Sequence, residues 1–321
     1  MKALYYEKKL AFRDDLPKPT PKNGDALVKV VKSGICRTDI EIAKGYMDFT
    51  GIPGHEFVGI VEDASDKSLI GDRVVGEINC GCGECYDCKS GNHHHCNSRT
   101  VLGIKNHNGS FAEYLTIPEK NLHHIPEALS DDEAMFVEPL AAAFRVAEQV
   151  VVMNTDSLVL GDGKLGILIA QIIAFLKGDV TLCGKYPEKM KLVDGKNIAT
   201  LTLDELKEKR LYSIVVDATG NPDGIKTALA HTKPRGTLIL KTTIAANEPP
   251  QIGPAELNHI VINEITVKGS RCGPFVHAIT LLEQQLIAVT PLIEKTFPLE
   301  KGLEAFEAAK RPGALKILIG N

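Results

Sequence analysis

Residues 161–166 read Gly-Asp-Gly-Lys-Leu-Gly, and their surroundings leave the chain little local freedom. The apolar Leu158, Val159 and Leu160 lead in, and an apolar run from Ile167 to Leu176 leads out. A strand that turns into a helix through this spacing belongs to a parallel βαβ unit. Gly161 permits the bend, Gly163 lets backbone approach an anion, and Gly166 lets the helix pack close on the strand. Helix-start N–H groups, with Lys164 and Leu165 among them, then face a pyrophosphate. A tight turn that binds nothing is the plainer alternative.

The texture on either side extends this reading. Apolar runs at 157–160, 180–183, 213–218, 237–241 and 265–269 predict strands, with helices at 164–177 and 223–231. That alternation is an α/β, doubly wound parallel sheet. Before residue 130 the pattern differs. Short β-like runs at 26–31, 57–62, 73–78 and 111–117 are separated by Pro17, Pro19, Pro21, Asn23-Gly24, Pro53-Gly54 and Asn108-Gly109, as in a β-rich, barrel-like domain. A chain of 321 residues has room for about two such domains.

Composition removes several classes of function. With 44% hydrophobic and 24% charged residues the chain is neither collagen-like nor wholly disordered. A formal net charge of −4 gives no general attraction to nucleic acid or to an anionic membrane. Met1–Leu10 lacks the apolar core of a signal peptide, and the longest apolar stretch, 165–176, is too short to span a bilayer and contains Gln171. The expected location is cytoplasmic.

There, thiols stay reduced, so clustered cysteines point to metal. Five of the eight cysteines fall between Cys80 and Cys96, and four follow Cys82-x2-Cys85-x2-Cys88-x7-Cys96. Four thiolates close a tetrahedral shell around zinc and leave no open position, which makes a structural site. An iron–sulfur cluster is a weaker alternative, because its fourth cysteine usually follows sooner and precedes Pro, whereas Asn97 follows Cys96. A nucleic-acid-binding zinc ribbon is weaker still, given the mixed charge between the ligands. Cys80, Cys183 and Cys272 read as small buried residues, and His93-His94-His95 as solvent-facing.

The end of the second parallel strand bears on the form of the cofactor. An acid there would take the ribose hydroxyls of NAD and repel a 2′-phosphate. This chain has Gly184 instead, followed by Lys185 and Lys189, so NADP(H) is expected over NAD(H).

A second set of metal-type residues, Cys36-Arg37-Thr38-Asp39 and Gly54-His55-Glu56, lies apart from the four-cysteine cluster. Cysteine, histidine and carboxylate with an open position are the ligands of a catalytic zinc. Taken with Val137-Glu138-Pro139-Leu140, the GxGxxG and Asp217-Ala218-Thr219-Gly220 in that order, they give the chain its likeness. It resembles the zinc-containing medium-chain alcohol dehydrogenases, nearest the sorbitol, threonine and glucose dehydrogenase branch.

That resemblance implies a GroES-like β-rich catalytic domain over 1–140 with a zinc lobe at 80–97. A Rossmann dinucleotide-binding domain would cover 141–270, and 271–321 would return to the first. It makes Cys36 and His55 zinc ligands and puts Glu56 and Glu138 beside them. Thr38 would take the substrate proton, and Asp39 would buttress the ligand loop. Glu41 stands where many members have a relay histidine. Arg37, Ala218, Thr219, Gly220 and Lys316 fall to the cofactor, and Gly45–Thr50 and Arg271–Phe275 are candidates to face substrate.

The expected activity is reversible oxidation of an alcohol to a carbonyl, with two zinc ions per chain. A homodimer or homotetramer is expected, with no nucleic-acid or membrane partner. A zinc-free quinone or enoyl reductase would lack these ligands, and a non-catalytic zinc- and nucleotide-binding regulator would have no reason to keep both sites intact.

Overall fold

Strands that bury one face alternate apolar and polar side chains, and strands covered on both faces are apolar throughout. Both kinds occur here, in different parts of the chain. The computed structural model describes residues 1–45, 48–207, 210–243 and 252–321. These divide into two compact units, Met1–Glu138 with Ile279–Asn321, and Pro139–Ala278.

In the first unit the long strand Asp25–Gly34 buries Ala26, Val28 and Val30 and exposes Lys29. It pairs antiparallel with Glu56–Asp63, with Tyr114–Pro118 and with Lys316–Gly320. Ile293–Pro298 runs parallel to that last strand, so the C-terminal segment completes the sheet. Leu4, Ile35, Ile52, Phe111, Phe306, Ile317 and Ile319 share one core. The register gives Gly34 two cross-strand partners, Leu318 on one side and Glu56 on the other.

The second unit holds a six-stranded sheet that is parallel throughout. Its order is Ile198–Thr202, Asp179–Gly184, Asp156–Leu160, Tyr212–Asp217, Thr232–Leu240, Thr266–Gly269. Leu158, Val159 and Leu160 are fully buried, and the helix Lys164–Phe175 packs on them through Ile167 to Ile173. The doubly wound reading of this region therefore holds.

One expectation needs correction, and one strand was not expected. The 111–117 run forms a strand only from Tyr114 to Pro118. Phe111 is instead plugged into the core, edge-on to Phe306 at 5.5 Å, with its N–H on Pro53 O. The edge strand Ile198–Thr202 is absent from the sequence reading because its exposed Ala199 and Thr200 break any apolar run.

Candidate functional site

Cys36 ends the turn after the long strand and opens the short helix Arg37–Ile42. The fully buried Asp39 holds this corner. Its Oδ2 accepts the N–H of Cys36 at 2.7 Å, its Oδ1 accepts the N–H of Gly54 at 3.2 Å, and the same oxygen lies 3.2 Å from His55 Nδ1. One carboxylate thus ties the cysteine loop to the histidine loop and stands beside the second nitrogen of the imidazole, where metal-binding histidines have a carboxylate or carbonyl.

The ligand atoms of Cys36, His55 and Glu56 all lie within 4.8 Å of one another. His55 and Glu56 are buried, and Cys36 is half-buried. Burial alone pulls the His55 imidazole down, but Asp39 and then Cys36 hold it well above its usual value. Thiol, imidazole and carboxylate around one point fit a zinc with an open position. Thr38 lies beside them, its Oγ1 4.0 Å from Cys36 Sγ. Arg37 is exposed and pairs with Glu41 at 2.9 Å, and Lys44 reaches the same carboxylate at 3.2 Å.

Lys316, expected to serve the cofactor, has another partner. Its ammonium donates to Glu56 Oε2, and both side chains are 1% exposed. The register explains the meeting, since Glu56 faces Gly34 from one neighbouring strand and Lys316 lies two residues from Leu318, which faces Gly34 from the other. A Cβ on Gly34 would lie 2.3 Å from that same oxygen. Burial pulls the Lys316 ammonium down, yet Glu56, Cys36 and more weakly Glu138 raise it overall, which favours the charged ammonium. Glu138 therefore lies within electrostatic reach, although the ligand group among the described residues is Cys36, His55 and Glu56. Of Gly45–Thr50, Tyr46 and Met47 lie outside the described residues.

The four cysteines of the lobe converge as well. Cys82 Sγ is 3.6 Å from Cys96 Sγ and 3.9 Å from Cys88 Sγ, and all four sulfurs lie within 4.8 Å of one another. A tetrahedron with Zn–S bonds of about 2.3 Å has edges of about 3.8 Å, so the spacing fits zinc. The N–H groups of Glu84 and Cys85 pull the Cys82 thiol down to about 6. The Cys85 thiol is eased by the N–H of Cys88 but pushed up to about 12 by its burial and the neighbouring thiols. Cys80 stands outside, buried, its thiol likewise pushed up to about 12. His93, expected to face solvent, does so only in part, its side chain 36% exposed. Its Nε2 is 2.9 Å from Glu77, whose other oxygen is 3.1 Å from His123.

In the second unit Gly161 has a φ of +114°, and a Cβ there would strike Ala218 O at 2.5 Å. Gly166 approaches Gly161 O so closely that a Cβ would lie 1.8 Å away. Gly163 opens the helix, and a Cβ there would meet nothing within 4 Å, which leaves the space an approaching pyrophosphate needs. Ala218 and Thr219 border this turn, Thr219 donating to Asp217 Oδ1 through N–H and hydroxyl. Gly220 follows at φ +62°, its N–H on Thr242 Oγ1.

Sequence reasoning missed three contacts: Lys316 with Glu56, the Glu77 histidine pair, and Asp162 at the end of the second strand. Only the first left a clear signal, a lysine at an inward position of the apolar run Leu315–Gly320.

Known proteins resemble this chain in both sequence and fold. Residues 22–127 match the alcohol dehydrogenase GroES-like domain. The L-threonine 3-dehydrogenase of Coxiella burnetii is 30% identical over 314 residues, covering 90% of each chain. A short chain alcohol dehydrogenase, rspB, of Escherichia coli CFT073, complexed with NADH, superposes with a TM-score of 0.89 at 26% identity, covering 100% of this chain and 99% of the other. A Sinorhizobium meliloti 1021 protein described as a zinc-binding dehydrogenase, bound to NADP, gives 0.88 at 26% identity with the same coverage.

Proposed function

The chain belongs to the medium-chain dehydrogenase/reductase family and is an NAD(P)-dependent alcohol dehydrogenase. We propose that it oxidises a secondary alcohol, polyol or sugar derivative at a zinc held by Cys36, His55 and Glu56. The observation that carries this reading is the convergence of those three ligand atoms within 4.8 Å in a buried setting. A zinc-free reductase of the same fold has no use for such a cluster.

When bound, zinc supplies a Lewis acid for the substrate oxygen, and the nicotinamide dinucleotide supplies the hydride acceptor. The chain's own residues do the rest. Asp39 orients His55 and ties down the Cys36 loop. Lys316 balances the charge of Glu56, and Glu138 adds a second carboxylate nearby. Thr38, next to Cys36, takes the proton of the substrate hydroxyl.

In this reading 1–140 and 271–321 form the catalytic domain and 141–270 the dinucleotide domain. A second, structural zinc sits on Cys82, Cys85, Cys88 and Cys96. NADP(H) is the preferred form, on the strength of Gly184 and the exposed Lys185. A cytoplasmic homodimer or homotetramer completes the proposal. The exposed Val261 and Ile262 on the helix Pro254–Ile262 offer apolar surface for self-association.

Zinc per chain and turnover on a panel of alcohols and polyols, with NADP⁺ and NAD⁺, test the proposal together. Two zinc ions and reduced-nicotinamide absorbance with the zinc-loaded protein are expected. Turnover that survives complete removal of metal would overturn it.

A further inference from the structure

Asp162, the second residue of the glycine-rich turn, is not one of its three glycines, and its side chain is only 10% exposed. It reaches away from the turn to the end of the strand Asp179–Gly184. There Oδ2 accepts the N–H of Lys185 at 2.7 Å and of Tyr186 at 2.6 Å. Oδ1 lies 3.9 Å from the ammonium of Lys189, which is itself 8% exposed and sits 4.2 Å above the Tyr186 ring. The reach depends on glycine at 184. A Cβ there would lie 2.3 Å from Asp162 Cβ and 2.4 Å from its Cγ. The volume that a strand-end side chain normally occupies is therefore filled from the neighbouring turn.

A carboxylate in this position could do either of two things. To read ribose hydroxyls it must keep lone pairs turned to the cofactor. To position the loop it must spend them on the chain. Asp162 turns Oδ2 to two backbone N–H groups and holds Oδ1 at ion-pair distance, 3.9 Å, from the buried ammonium of Lys189, which matches its charge. Lys185 is exposed, whereas Lys189, expected beside it at the phosphate, is buried against Asp162.

We propose that Asp162 is a positioning residue for the adenosine end of the cofactor: paired with Gly184, it fixes the Lys185–Tyr186 backbone so that Lys185 meets the 2′-phosphate of NADP(H). The proposal rests on the glycine-rich turn being a dinucleotide site.

The zinc-loaded enzyme and its D162A, D162N, K185A, D162A/K185A and G184A variants are titrated with NADPH and NADH by fluorescence and compared in steady state. Wild type should bind NADPH more tightly than NADH. D162A should raise KM for NADP⁺ about tenfold, as loss of a charged hydrogen-bond acceptor does, with the loss in KM rather than kcat. NADH binding should change less than about twofold, and D162N, which keeps an acceptor for the two N–H groups, should recover most of the loss. D162A should add little to K185A, because one acts through the other. G184A, whose Cβ displaces Asp162, should reproduce the NADPH loss and serves if D162A does not fold.

Equal weakening of both dinucleotides in D162A would overturn the proposal, as would additive effects with K185A. Tighter NADPH binding by D162N would also overturn it, since the carboxylate would then be repelling the phosphate. Wild type that binds both forms alike defeats this proposal alone. Wild type that binds neither defeats the dinucleotide reading as well.

Discussion

The two metal-type clusters of the first unit differ both in their ligands, four thiols against thiol, imidazole and carboxylate, and in how the chain builds them. The lobe draws its four thiols from the short stretch Cys82–Cys96, near the surface, and its spacing nearly suffices to close it. The Cys36 cluster needs two separate loops, a buried carboxylate to join them, and a lysine 260 residues away to balance Glu56. A site closed by local chain can hold structure; a site assembled by the fold can keep one position open and control its charge. The first consequence separates the two. Cys36→Ala or His55→Ala should cut turnover by at least about a thousandfold, several kcal/mol of barrier, while the lobe zinc stays bound. Metal analysis beside kcat checks this. Loss of both zinc ions from either variant would mean that the clusters are not independent.

The next effect falls on stability. Lys316→Met leaves the Glu56 carboxylate buried without its cation, and removing one partner of such a pair costs about 3–5 kcal/mol. The double variant E56Q/K316M should recover much of that, because no charge is then stranded. Denaturant melts of the metal-free protein measure it. Equal destabilisation in the single and double variants would show that Lys316 acts by packing. The lobe offers the contrast: Cys85→Ser should release its zinc and lower the melting temperature while kcat of the folded enzyme changes less than about twofold. A loss of activity as deep as that of Cys36→Ala would erase the distinction between the sites.

The same contrast explains what could be read beforehand. The glycine-rich turn and the cysteine spacing are local: a few residues fix a backbone path or a ligand shell, so Gly161–Gly166 and Cys82–Cys96 were legible. So were the strands of the second unit, whose full burial leaves unbroken apolar runs such as Leu158–Leu160. Strand register is not local. Only the pairing of Leu318 with Gly34, and of Gly34 with Glu56, brings Lys316 to its partner. Asp162 was hidden for a related reason, since an empty position at 184 gains meaning only when the turn beside it is in view.

The smallest effect concerns one contact between the lobe and the sheet. Glu77 lies between His93, on the lobe, and His123, in the strand Leu122–His124. Burial pushes its carboxyl up, but His123 and His93 outweigh this and hold it below the usual carboxylate range. A carboxyl lowered in the folded state binds fewer protons there than in the unfolded chain. Its contribution is therefore fully present above the unfolded value of about 4.3 and is lost as pH falls through the lower folded value. Glu77→Gln should flatten the fall in melting temperature below about pH 4.5 and lower the melting temperature just above it. The melts are run on metal-free protein, because acid also releases zinc from thiolates. An acid limb unchanged in the variant would show that this carboxylate contributes nothing to holding the lobe.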